Sequence, residues 1–410
     1  MNEKSEQIDA RLNILVDKDQ PLCPSKLNAV ILSALTSGNA KNDKVDVGDK
    51  SHSFISFTAS TSKHAILPSA VTFLGGHGNH PIFKKRIQLK SWFKPAHIKL
   101  SKQGYTVHFL GVYQYNGNVV FVDFATETYM KRKMNNSSAF VYVNDLFRAM
   151  KDGIATRVDL HGNKITTIRK NSLKDFFSGR TSSQSDFVLF DIFNKFNKEE
   201  VPFSSWVKGS FAITKMQKNN FPKWRETEWP GWYLEFMFDA FLSKKNIGVI
   251  VYHGKLENTN DHLDFDLAFP THKFYGDLKA SDITQDVSPG NDKESVVNAI
   301  NRYDRFWYVI YEHETVKDKN CGNEITRFRS EFIRQVTGDE VSPLSYANRM
   351  KNRICFKKMM IIELNRANCG DLLSDFHQGH QPDGSARAPK VKINKRNIEN
   401  YQVFHYEVEV

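Results

Sequence analysis

Cysteine is scarce, and the four residues Cys23, Cys321, Cys355 and Cys369 stand far apart with no C-x-x-C pair among them. That spacing argues against a disulfide framework and a thiolate zinc site, and it predicts reduced thiols. Long apolar runs are lacking as well. No stretch approaches the roughly 18 residues that a bilayer-spanning helix needs. The opening MNEKSEQIDARLNILVDKDQ is charged throughout and has no apolar core for a secretory signal. The expectation is a cytoplasmic protein with no membrane partner. No internal repeat and no long low-complexity tract is visible. Acidic residues are in deficit: 46 Asp and Glu face 57 Lys and Arg, a formal net charge of +11. Such a balance favours an anionic partner, nucleic acid ahead of an anionic membrane surface.

What is present is bulk for two cores. The 410 residues exceed the size at which one core usually stops growing, and 31 phenylalanines are available to fill them. Pro24 to Leu35 reads as a short helix, and Asn39 to Ser53 as a polar loop. Tyr105–Tyr115 and Asn118–Phe124 are rich in β-branched and aromatic residues, and Asn116-Gly117 between them predicts a two-residue hairpin turn. Ala139 to Val143 reads as a strand, followed by Asn144 as N-cap of a helix over Asp145–Lys151 that stops near Gly153. A second hairpin is expected across His161-Gly162-Asn163, then a short helix capped by Ser172. The small polar run Gly179–Ser185 sets a boundary between an N-terminal α+β domain, 1–180, and a second domain, 186–410.

The second half begins with a helical spacing over Asp186–Phe196. Pro230 then introduces a helix from Gly231 to Lys245. Strand-like runs follow at Ile247–Tyr252, Leu263–Phe269 and Phe274–Ala280. A helix over Glu294–Asp304 and an apolar strand, FWYVIYE, at Phe306–Glu312 complete an α/β (α+β) pattern: a mixed sheet flanked by helices.

In-line hydrolysis of a phosphodiester needs a divalent cation against the building charge, carboxylates to hold it, and a group that orients or deprotonates water. Asp277-Leu278-Lys279 meets part of this need. In a strand, residues i and i+2 share a face, so Asp277 and Lys279 project together while Leu278 enters the core. Asp266 lies about one hairpin arm upstream, and strand pairing brings it beside Asp277. Asp264 takes its place if the register shifts by two, but the apolar run that follows Asp266 favours Asp266. Glu235 sits in the apolar helix segment LEFMFDAFL, where an acid is costly to bury without a partner such as a metal.

The order Glu235, Asp266, Asp277-Leu278-Lys279 resembles the PD-(D/E)xK nuclease superfamily in the form used by Type II restriction endonucleases. The resemblance runs from Trp229 to Thr315. It differs in lacking a proline beside Asp266 and in having Asp where Glu is commoner. NNSSAFVYVNDL (Asn135–Leu146) and HQGHQPDGSARAPKVKI (His377–Ile393) are similar to nucleases encoded beside DNA methyltransferases. The resemblance implies Mg²⁺-dependent cleavage of double-stranded DNA to 5′-phosphate and 3′-hydroxyl ends within a restriction–modification system. It implies Asp266, Asp277 and Glu235 as metal ligands, Lys279 as the residue that activates water, and a homodimer that cuts both strands. Residues 1–180 would then bind and recognise DNA.

Other features compete. Gly75-Gly76-His77-Gly78-Asn79-His80 and His377/His380 read as loops or turns rather than metal sites, and Glu312-His313-Glu314 as an exposed strand end. Tyr303 reads as a core aromatic. Basic clusters at Lys84-Lys85-Arg86 with Lys90 and Lys94, at Lys131-Arg132-Lys133, and at Lys390/Lys392 with Lys395-Arg396 are candidates for phosphate contact. Trp92, Trp224 and Trp229 lie near basic residues but are commoner in cores. Two other functions fit the same sequence: a nuclease of this fold in repair, phage defence or transposition, and a non-catalytic DNA-binding protein.

Overall fold

The computed structural model describes residues 4–35, 39–73, 75, 80–131, 138–179, 186–256, 263–341, 350–376, 389–396 and 398–408. The fold is α+β, and the chain divides into two compact units, Met1–Ser185 and Asp186–Val410. No helix among the described residues is long and apolar enough to cross a membrane.

In the first unit a seven-stranded sheet runs in the order Ile154–Val158, Lys164–Arg169, Asn118–Phe124, Tyr105–Tyr115, Ser62–Ala70, Lys50–Ala59, Lys41–Val47. Neighbours are antiparallel except Ser62–Ala70 with Tyr105–Tyr115, which are parallel. The hairpin expected at Asn116-Gly117 is present, both turn residues having positive φ (45° and 83°). Alternate residues of Tyr105–Tyr115 serve two cores: Phe109 and Tyr113 face one, Leu110 and Val112 the other. The second core is closed by the helix Pro24–Leu35.

Several local expectations change. Asn39–Ser53 is not a loop: Lys41–Val47 and the start of Lys50–Ala59 pair antiparallel there. Lys41–Val47 is an edge strand with Val45 as its one buried residue, and a polar edge strand shows little alternation in sequence. Asn144 is not the N-cap. The helix is Val143–Asp152, capped at Tyr142, whose amide donates to the Asp145 carboxylate at 3.0 Å. Ser172 makes no side-chain cap to its short helix, Leu173–Phe177.

The second unit is built on a sheet ordered Trp206–Lys208, Lys351–Leu364, Phe306–Lys317, Phe274–Asp282, Leu267–Phe269, Val251–Tyr252, with Gln402–Glu407 also paired to Lys351–Leu364. Phe274–Asp282 and Phe306–Lys317 are parallel, joined through the helix Lys293–Tyr303, while the remaining pairs of this sheet are antiparallel. The Asp292 carboxylate caps that helix by accepting from the Ser295 amide at 2.9 Å. The helix Trp229–Lys244 is apolar on most of its circumference and buries most of its length. The expected strands Leu263–Phe269 and Ile247–Tyr252 contract to Leu267–Phe269 and Val251–Tyr252. Glu312 and His313 are buried rather than exposed, because their strand continues to Lys317 with partners on both sides. Lys395 (2.6 Å) and Lys358 (2.9 Å) neutralise Glu312.

Candidate active site

The strand Phe274–Asp282 carries Asp277 and Lys279 on one face and buries Leu278 between them, as period-2 geometry requires. Its approach to Phe306–Lys317 is close at Gly276, where an added Cβ would lie 2.9 Å from the Trp307 carbonyl oxygen. The antiparallel partner Leu267–Phe269 pairs Leu267 with Gly276, so Asp266 falls opposite Asp277 just before the strand begins. The Leu278 amide donates to Asp266 Oδ2 at 3.0 Å, which fixes that carboxylate against the neighbouring strand. Asp264 is exposed, its side chain 90% accessible, and takes no part in this pairing.

Asp277 is 1% exposed. Its Oδ1 accepts from Asn291 Nδ2 at 2.8 Å, and Lys279 Nζ makes an ion pair with Oδ2. Glu235, 7% exposed, projects from Trp229–Lys244 and accepts from the Tyr252 hydroxyl at 2.8 Å. The structure thus brings together all four residues singled out in sequence. It adds Tyr252, Asn291 and His253, which sequence reasoning missed. His253 was the hardest to find, because it sits in a turn whose position depends on pairing with Asp266: its amide donates to the Asp266 carbonyl at 2.9 Å.

Three carboxylates face one ammonium in a place that water reaches poorly, and their ionisation reflects it. Burial, then the Asp277 charge, raises the Asp266 carboxyl well above the ordinary range. Burial also pushes Glu235 up to about 7, with the Tyr252 hydrogen bond opposing and Asp277 adding. Burial works against the charge on Lys279, but Asp277 and Asp266 outweigh it and hold the ammonium above its usual value. Burial and the nearby Glu235 keep Tyr252 a protonated donor.

Among the described residues, Glu235, His253 and Asp266 each offer one ligand atom within 4.8 Å of the others. Three buried acids and one imidazole gathered about a single ammonium are a donor set that fits a divalent cation. An acid whose pKa is raised on folding contributes stability that is fully present below its unfolded value and is lost as pH rises through the folded one. For Glu235 that window runs from the usual glutamate value to about 7, and Asp266 acts in the same direction. Chelator-treated protein is expected to melt lower at about pH 8 than at about pH 6. Glu235→Gln should flatten that dependence, as should saturating Mg²⁺. A melting temperature unchanged between those two pH values would contradict the shift.

Residues 62–177 match the model of a family described as Methylase-associated X1. No curated protein and no solved structure matches the chain. The matched segment lies wholly in the first unit, from the strand Ser62–Ala70 to the helix Leu173–Phe177, and does not include the acid–lysine cluster. Its own buried polar centre is structural in kind. Arg157 Nε donates to Asp145 Oδ2 at 2.9 Å, Arg148 Nη1 to the Thr156 carbonyl at 3.1 Å, and Thr167 Oγ1 to the Asp145 carbonyl at 2.8 Å.

Several candidates for phosphate contact are already engaged. Lys85 is fully buried and bonded to Ser5 (2.9 Å) and Asp19 (2.7 Å), so it belongs to the core of the first unit. Lys395 pairs with Glu312, and Arg396 with Asp286 at 2.8 Å. Trp229 is buried, its Nε1 donating to the Lys351 carbonyl at 2.8 Å. Trp224 packs edge-on against Phe332, and Trp92 stacks on His52. Tyr303 packs edge-on against Tyr275. His77, His377, His380, Arg132 and Lys133 lie outside the described residues.

Proposed function

We propose that the protein is a Mg²⁺-dependent endonuclease of double-stranded DNA, of the PD-(D/E)xK type, acting as the restriction partner of a DNA methylase. The observation that carries this reading is the convergence of Glu235, Asp266, Asp277 and Lys279 from one helix and one hairpin onto a single point. Glu235, Asp266 and Asp277 would hold Mg²⁺, which, when bound, supplies the positive charge that a reacting phosphodiester needs. Lys279 would orient an attacking water and balance the charge that grows on the phosphate. Tyr252 fixes the Glu235 carboxylate, and Asn291 fixes that of Asp277. The methylase-associated match supports the restriction setting, since a restriction nuclease works beside the methylase that protects its own DNA. In the same reading residues 1–180 recognise DNA, two copies pair so that both strands are cut, and the protein acts in the cytoplasm. The basic balance of the chain suits the polyanionic substrate.

The test is incubation of the purified full chain with unmodified plasmid and Mg²⁺, followed by sequencing of the ends. Discrete fragments bearing 5′-phosphates are expected. Intact plasmid with every divalent cation tried would sink the nuclease reading, whereas cleavage without sequence preference would point to a nuclease of repair or phage defence.

A further inference from the structure

The loop between the acid-bearing helix and the hairpin delivers an imidazole to the carboxylates. His253 follows Val251–Tyr252 and adopts a left-handed backbone, φ 47°, uncommon for a residue with a side chain. That conformation is held by the hydrogen bond from its amide to the Asp266 carbonyl. It places a His253 ring nitrogen within 4.8 Å of carboxylate oxygens of both Glu235 and Asp266. The ring is half exposed, and its Nδ1 lies 3.4 Å from the exposed Asp264 carboxylate. A surface ion pair with Asp264 does not by itself require the ring to reach the buried acids. Ligand atoms around a six-coordinate dication with bonds of about 2.1 Å lie roughly 3 Å apart when adjacent and roughly 4 Å when opposite, close to the spread of this group.

We infer that His253 is a nitrogen ligand to the cation held by Glu235 and Asp266, so that the site prefers a first-row transition dication to Mg²⁺. The chemistry decides the preference. Mg²⁺ takes oxygen ligands and gives up its waters reluctantly, so an imidazole adds little to its binding. First-row transition dications accept imidazole readily, and a mixed set of two carboxylates and one nitrogen strengthens their hold. The inference rests on the nuclease reading for the site's purpose, but not for its ligands.

Mn²⁺ is a suitable probe because it reports its own ligands. Electron spin echo spectra of Mn²⁺ bound to the full chain are expected to show nitrogen-14 modulation, which His253→Ala removes. The same variant should weaken Mn²⁺ binding by about 10-fold or more, read from the free-ion signal, while Mg²⁺ affinity, read by calorimetry, shifts by less than about 3-fold. His253→Ala should melt as the wild type does, since the side chain is half exposed. Mn²⁺ bound without nitrogen modulation, or modulation that survives His253→Ala, overturns the inference. If Mg²⁺ supports cleavage in either of those cases, the nuclease reading stands without it. Nitrogen modulation lost in His253→Ala, with no cleavage in any metal, supports the site and removes the nuclease reading. Absence of any bound dication overturns both.

Discussion

Replacing Lys279 by alanine is expected to reduce Mg²⁺-dependent DNA cleavage by about 10²–10⁴-fold, the usual contribution of a group that positions or transfers the reacting proton. Asp277→Asn should cost on the order of 10³-fold, comparable to removing a preorganised charge from a dry site. Both follow from the same geometry. The Lys279 ammonium and the Asp277 carboxylate project from one strand face and are in contact. Lys279 lies against both Asp277 and Asp266. Lys279→Arg should remain strongly impaired, since a planar guanidinium cannot present its protons where a compact ammonium does. The measurement is single-turnover cleavage at saturating enzyme, alongside DNA affinity in Ca²⁺. Affinity should hold within a few-fold in Lys279→Ala, so that the loss reports on the chemical step rather than on binding. If Lys279→Ala and Asp277→Asn both cleave within a few-fold of the wild type, the catalytic assignment is wrong, and the non-catalytic reading gains what it loses.

The largest expected loss of stability lies at Arg305, beside the strand that supports the site. Its guanidinium bonds to Glu363 at 2.6 Å and Asp186 at 2.7 Å and lies over the rings of Phe274 and Trp307. Glu363 is 3% exposed and also accepts from Trp307 Nε1 at 2.8 Å. Arg305→Ala strands these acids near the core, and breaking such a buried network by removing one partner costs about 3–5 kcal/mol. For a unit of this size that corresponds to a fall of roughly 10 °C in Tm. Arg305→Met, with Asp186→Asn and Glu363→Gln, should recover much of the loss, because no charge is then left unpaired. Thermal unfolding of the single and triple variants checks both statements. A single variant that melts as the wild type does would mean that the network contributes nothing net.

The candidate site was largely legible in the sequence. Asp277 and Lys279 on one face, with Leu278 inward, follow from strand period alone, and the flanking aromatic runs identify the strand. Glu235 stood out as an acid inside an apolar helix. Asp266 could be paired with Asp277 because the interval fits one hairpin, and the exposure of Asp264 now separates those two candidates. The helix Pro24–Leu35 and the turn at Asn116-Gly117 were equally plain, since local propensity and tertiary demand agree there.

What sequence period could not reach was anything set by a partner distant in the chain. Glu312 and His313 read as a polar strand end, yet neighbours on both sides bury them, and Lys358 and Lys395 supply the charge that makes this tolerable. Lys85 looked like a surface cation, but Asp19 and Ser5 reach it from far upstream. His253 has no local signature at all: a turn residue's direction depends on which strand its backbone bonds to, and that is a tertiary choice. Side-chain alternation and helical spacing are properties of the chain itself, so the sequence determined the elements whose period is strong and marked the acids and the lysine as candidates. The meeting of helix, hairpin and imidazole at one point required long-range pairing, whose partners no local pattern names, and tertiary structure alone decided it.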